Sequence, residues 1–215
     1  LLESTLTDLT TGQPGLDVIG AALDRGMDVV SANKGPLVLA YGDLTARARA
    51  AGRQIRFSAA VCGGLPTVNI GQRDLVVATI DRLEGIFNST TNYILEAMAT
   101  GASFQDALAE AQRVGVAETD PSLDIEGWDT ANKLVILANS VLGVPATLDD
   151  VQVRGIQGIS AADVQAAEGA GQALRLLATA TRRADGGYDL SVQPTVVAGD
   201  HPMAKVRGWQ MGIVY

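Results

Sequence analysis

The chain has 215 residues, 47% of them hydrophobic, and a formal net charge of -8. That is enough apolar side chain for one large domain or two small ones, and the acidic balance excludes the basic stripe that a nucleic-acid partner or an anionic membrane surface requires. The longest apolar runs, Val76 to Ile80 and Leu134 to Ala138, fall far short of a membrane span, no signal-like segment opens the chain, and the single cysteine, Cys62, excludes an internal disulfide and fits a reducing cytoplasm.

In chain order, "LLEST" reads as the end of a strand. "GLDVIGAALDRG" follows, with Leu16, Ile19 and Leu23 at helical spacing and Gly26 as its stop. "MDVVSAN" is a short β-branched run, residues Leu37 to Ala51 have a helical pattern, and "RQIRFSAAV" is the next strand. Strand, helix, strand, helix, strand predicts a parallel sheet wound with crossovers. No G-x-G-x-x-G joins a strand to a helix here. The abrupt ends predict a fragment, with any phosphate-gripping half of a nucleotide fold expected before Leu1.

From about residue 66 the rhythm changes. "LVVATIDRLEGIFN" reads as one long strand, and "TTNYILEAMATG" and "SFQDALAEAQRVG" as consecutive helices, the second opened by a Ser103/Asp106 capping box. A third, longer helix is expected from Ile125 to Leu142. "QALRLLATATRRADGGYDLSVQPTVV" predicts two β segments around a solvated Asp185-Gly186-Gly187 turn, and "WQMGIVY" another strand. Strands so far apart must pair, which implies a mixed sheet covered by helices. The lone His201 has no partner pattern for a metal or a nucleophilic pair, and no chemistry is assigned to it.

The segment from Glu118 to Asp129 carries five carboxylates in twelve residues and is followed by Lys133. Asp129 and Lys133 are four apart and share a helix face, with an apolar run after the lysine. One reading is an ordinary surface ion pair of small energetic weight. The other is an ammonium held in a low-dielectric pocket by a carboxylate, which becomes a competent proton donor or acceptor for a hydroxyl-to-carbonyl conversion. Glu118, Asp120 and Asp124 sit in a Pro-containing turn and would suit a substrate ammonium, or alternatively complement a helix N-terminus. Their spacing lacks the register of an EF-hand loop.

"GVAETDPSLDIEGWDTANK" resembles the substrate-site segment of the homoserine dehydrogenases, G-x-x-E-x-D-P-x-x-D-x-x-G-x-D-x-x-x-K, at every fixed position. "GIFNSTTNYIL", "VSANKGPLV" and "AVCGGLPTV" are similar to further segments of the same family, in the family's order. The resemblance implies an NAD- or NADP-dependent oxidoreductase that interconverts L-homoserine and L-aspartate 4-semialdehyde on the way to threonine and methionine. It implies that Lys133 handles the proton, that Asp129 orients substrate and lysine, and that Lys34 lies near the reacting hydroxyl and the cofactor. Glu118, Asp124 and Thr90 are implied at the substrate, and Thr5, Asn33 and Gly115 at the cofactor.

The implied fold is the end of a Rossmann-type nucleotide-binding domain, residues 1–60, followed by an α+β catalytic and dimerisation domain, residues 61–215. A homodimer is expected. In the loop that resembles a monovalent-cation site, Ser58 stands where the family carries a glutamate, leaving the backbone carbonyls of Val61, Gly63 and Leu65, and Cys62 stands where glycine is usual. The alternatives are a related dehydrogenase for another hydroxy acid, or a non-catalytic amino-acid-binding or assembly module.

Overall fold

The computed structural model describes residues 1–215. The chain forms two compact units, Leu1–Thr79 with Asn132–Asp150, and Ile80–Ala131 with Val151–Tyr215. The expected architecture is found: a wound parallel sheet in the first unit and a mixed sheet covered by helices in the second.

The first unit is built on three parallel strands in the order β1 (Leu2–Glu3), β2 (Val29–Ser31) and β3 (Ile55–Arg56). Glu3 pairs with Ser31 and Val30 with Arg56. Parallel neighbours require crossovers, supplied by α1 (Gly15–Asp24) and α2 (Lys34–Ala50). The i, i+3, i+4 spacing of Ile19, Ala22 and Leu23 places all three on one face of α1. There they pack with Val29, Leu44 and Ala48 into a buried cluster. Beyond β3, a short 3-10 turn (Ser58–Ala60) leads to α3 (Thr67–Asn69) and a wide π turn (Ile70–Asp74). That turn receives the returning segment closely, since Gln72 donates to the Ser140 carbonyl at 3.0 Å.

The second unit holds five strands in the order β5 (Val151–Val153), β7 (Tyr188–Ala198), β6 (Gln172–Arg182), β4 (Arg82–Ile86) and β8 (Gly212–Val214). The β6–β7 hairpin is antiparallel over eleven residues a strand and turns at Asp185-Gly186-Gly187, as the sequence predicts. β4 is antiparallel to β6 and β8, whereas β5 runs parallel to β7. Helices α4 (Ser89–Ala99) and α8 (Ala161–Gly169) pack on β6 and on each other, with α5 (Phe104–Arg113) against α4. Ile94, Leu95 and Met98 on α4 are fully buried. Arg175 on β6 is also buried, its guanidinium donating to the Leu174 and Ala204 carbonyls at 3.1 and 3.2 Å.

Two expectations are corrected. The long strand from Leu75 to Asn88 exists only over Arg82–Ile86, because the segment before it has no neighbouring strand to bond, and Val76 and Val77 are 71% and 96% exposed. The long helix from Ile125 to Leu142 is instead a turn of helix α6 (Ser122–Ile125), then α7 (Trp128–Leu137), then a π turn (Ala138–Leu142). Gly127 makes the break. Its φ of +90° is unsuited to a continuing helix, and its carbonyl accepts the Ala131 N–H at 3.0 Å to start α7 afresh. Helix α8 and strand β5 were missed altogether. No helix is long and apolar enough to cross a membrane.

Candidate functional site

In the first unit, the candidate residues gather at the carboxyl ends of β1 and β2. Glu3, only 2% exposed, accepts hydrogen bonds from the Ser31 hydroxyl at 2.5 Å, the Thr5 hydroxyl and N–H at 2.7 and 2.9 Å, and the Asn33 amide at 3.2 Å. Burial works against its charge, but the bonds from Ser31, Thr5 and Asn33 outweigh it and hold the carboxyl below its ordinary range. Asn33 uses its other end as the N-cap of α2, accepting the Gly35 N–H at 3.0 Å. A side chain at Gly35 would lie 2.5 Å from the Asp8 carbonyl oxygen, so glycine is required after the lysine for the chain to enter the helix. Lys34 is thereby placed as the first, half-buried residue of α2.

The same strand ends open onto a cavity of about 670 Å³, whose lining includes Glu3, Ser4, Ser31, Phe57 and Ser58. In wound parallel sheets this is the rim on which ligands settle. Glu3 was not singled out from the sequence, although an acid closing an apolar strand is the signal that would have found it.

The loop beyond β3 holds Cys62 at φ 58°, the one non-glycine residue with positive φ. A glycine would adopt this left-handed conformation without the strain that a side chain brings. The Val61 carbonyl accepts the Thr67 hydroxyl at 3.2 Å, and the Cys62 carbonyl accepts the Leu65 N–H at 3.1 Å.

In the second unit, Asn88 caps α4 by accepting the Thr91 N–H at 2.9 Å, and its amide donates to Asp124 Oδ1 at 2.6 Å and Asp129 Oδ2 at 2.9 Å. Two of the predicted acids are thus brought together, one from α6 and one from the first turn of α7. Gly127 lies between them, and a Cβ there would come within 3.2 Å of Val153 and 3.3 Å of Val192.

Thr90, 3% exposed, donates to the Val116 carbonyl at 3.0 Å and so ties α4 to the loop carrying Gly115 and Glu118. Gly115 has φ 76°. Glu118 is exposed and is not drawn into the acidic pair, although its carbonyl accepts the Gln112 amide at 3.1 Å. Asp120 has a local role. The Ser122 hydroxyl and N–H bond to it at 2.5 and 3.1 Å, which hold its carboxyl below the usual range.

Lys133 lies one turn along α7 from Asp129. It is half-buried, and Leu134, Val135, Ile136 and Leu137 after it are fully buried. His201, to which the sequence assigned nothing, caps a short 3-10 turn and places Nε2 3.0 Å from the Glu84 carboxylate.

Residues 66–215 match the family model described as homoserine dehydrogenase. The chain is 41% identical over 209 residues to the homoserine dehydrogenase of Methanocaldococcus jannaschii, covering 97% of this chain and 60% of that protein. It is 37% identical over 206 residues to the NAD(+)-dependent homoserine dehydrogenase of Pseudomonas canavaninivorans, covering 96% and 58%. The crystal structure of a homoserine dehydrogenase from Thiobacillus denitrificans superposes with a TM-score of 0.91 at 35% identity, over 99% of this chain and 49% of that one. The chain therefore spans about half to three-fifths of the length of these relatives. A family match over 150 of 215 residues, with relatives this similar across nearly the whole chain, makes this chain a member of the homoserine dehydrogenase family.

Proposed function

We propose that the protein is a homoserine dehydrogenase, interconverting L-homoserine and L-aspartate 4-semialdehyde with NAD or NADP. The observation that carries this reading is the Asp124/Asp129 pair gathered on one buried amide, with half-buried Lys133 one helical turn beyond Asp129 at the start of an apolar run, within a match to the family model over residues 66–215. The pair suits the α-ammonium of an amino-acid substrate, because a buried cation needs carboxylate partners. Glu118 adds an acid at the same substrate, and Thr90 holds its loop in place.

Lys133 handles the proton. In the oxidative direction its nitrogen takes the proton of the substrate hydroxyl as the carbon loses hydride. In the reductive direction its ammonium faces the negative charge that develops on the aldehyde oxygen and then supplies the proton. Asp129 orients that ammonium from one turn away, and Lys34 supports the same oxygen. When bound, a nicotinamide accepts or returns the hydride.

The residues fit such a cofactor. The ends of β1–β3 open onto a roomy cavity lined by Glu3 and Ser31, and Thr5 and Asn33 are held beside it by their bonds to Glu3. Residues 1–60 are read as part of the cofactor domain, and 61–215 as the catalytic and dimerising domain of a cytoplasmic homodimer. The carbonyls of Val61, Gly63 and Leu65 would take a monovalent cation weakly, since Ser58 brings no carboxylate to balance it.

The test is to express the full-length gene product and follow nicotinamide absorbance, with homoserine in the oxidative direction and aspartate semialdehyde in the reductive one. Turnover with either dinucleotide is expected. Homoserine binding without turnover would instead favour the amino-acid-binding module.

A further inference from the structure

We infer that Asn88 is a positioning residue for substrate recognition, setting the separation and orientation of the Asp124 and Asp129 carboxylates with the two hydrogens of one amide. The inference rests on the dehydrogenase reading above. Asn88 is 5% exposed, and each polar atom of its side chain is committed. Oδ1 accepts the Thr91 N–H at 2.9 Å and lies 3.2 Å from the Thr91 hydroxyl. Nδ2 lies 2.6 Å from Asp124 and 2.9 Å from Asp129. The backbone N–H of Thr91 permits only an acceptor at Oδ1, so the NH2 must face the acids.

Two carboxylates this close to a common atom repel one another, and short bonds to a shared donor offset that repulsion. A primary amide is the one small side chain that offers two donors in a plane together with an acceptor for a helix N-cap. Asn88 thereby joins the start of α4, where Thr90 follows two residues on, to α6 and the first turn of α7. The positive end of the α4 dipole adds to the favourable field at the pair.

The test compares Asn88→Ser and Asn88→Asp in the full-length enzyme. Both variants keep an oxygen able to cap α4. Serine has a single hydrogen to donate, and aspartate adds a third carboxylate. A positioning role predicts that Asn88→Ser raises the KM for L-homoserine roughly 10- to 100-fold, as expected for losing a hydrogen bond to a charged group, and that Asn88→Asp is worse still. The KM for the dinucleotide stays unchanged. A role confined to capping predicts the opposite, with Asn88→Asp keeping the native homoserine KM, and that result overturns the inference.

Should the variants not fold, amide exchange in the wild type decides. Slow exchange of both Asn88 side-chain protons supports the inference, and free exchange of either overturns it. An inactive wild type refutes the dehydrogenase reading, while the exchange measurement still decides whether Asn88 holds the two acids.

Discussion

Glu3→Gln tests whether the buried carboxylate at the end of β1 holds together the proposed cofactor rim. The substitution keeps shape and volume and removes the charge from a carboxylate that is 2% exposed and accepts four hydrogen bonds from Ser31, Thr5 and Asn33. Bonds to an ionised acceptor are roughly twice as strong as neutral ones. Against their loss stands the relief of no longer burying a charge, so the net destabilisation is expected at about 1–3 kcal/mol near neutral pH.

The pH dependence has a definite sign. The folded-state carboxyl of Glu3 lies below its ordinary value of 4.5, so its ionisation stabilises the fold fully above that value, and the contribution is lost as pH falls through the folded-state value. Urea unfolding of wild type and variant at pH 7 should give clearly separated midpoints, and at pH 3 the gap should narrow. Because Thr5 and Asn33 are anchored on Glu3, the KM for the dinucleotide should rise as well. Equal midpoints at pH 7, or a gap of the same size at both pH values, would refute the reasoning.

Gly127→Ala places a Cβ on a residue at φ +90° and within 3.2 Å of Val153. It should destabilise by about 1–3 kcal/mol, read as a lower thermal midpoint, and depress kcat/KM for homoserine because Asp129 two residues on is displaced. Thr90→Val retains volume but leaves the Val116 carbonyl without its donor. A loss of about 1–2 kcal/mol is expected in chemical unfolding, together with a raised homoserine KM as the loop carrying Glu118 loosens.

Much of the architecture was legible because it is written in local patterns. The spacing of Leu16, Ile19 and Leu23 marked α1, Ser103 and Asp106 marked the start of α5, and Asp185-Gly186-Gly187 marked the β6–β7 turn. Ser160 and Asp163 form an equally readable capping box before α8, which was overlooked. Strand β5 has three residues and depends on β7, nearly forty residues away, for its existence.

The over-long strand before β4 shows the converse. Val76 and Val77 have β propensity, but propensity without a neighbouring strand gives a turn. At the candidate site, the long acidic motif identified Asp124 and Asp129, and only folding reveals that Asn88, 36 and 41 residues earlier, bonds to both. Glu3 and Asn33 are likewise thirty residues apart. Sequence spacing reports faces of one helix or strand, whereas these networks join residues from different elements.

The most direct test of the central claim is Lys133→Ala in the full-length enzyme, with kcat for homoserine oxidation and dinucleotide affinity measured side by side. Proton transfer by a positioned group contributes roughly 10²–10⁴ in rate. The account predicts a fall in kcat of that order with dinucleotide affinity retained. A variant that turns over homoserine at the native rate would contradict it and remove Lys133 from the chemistry.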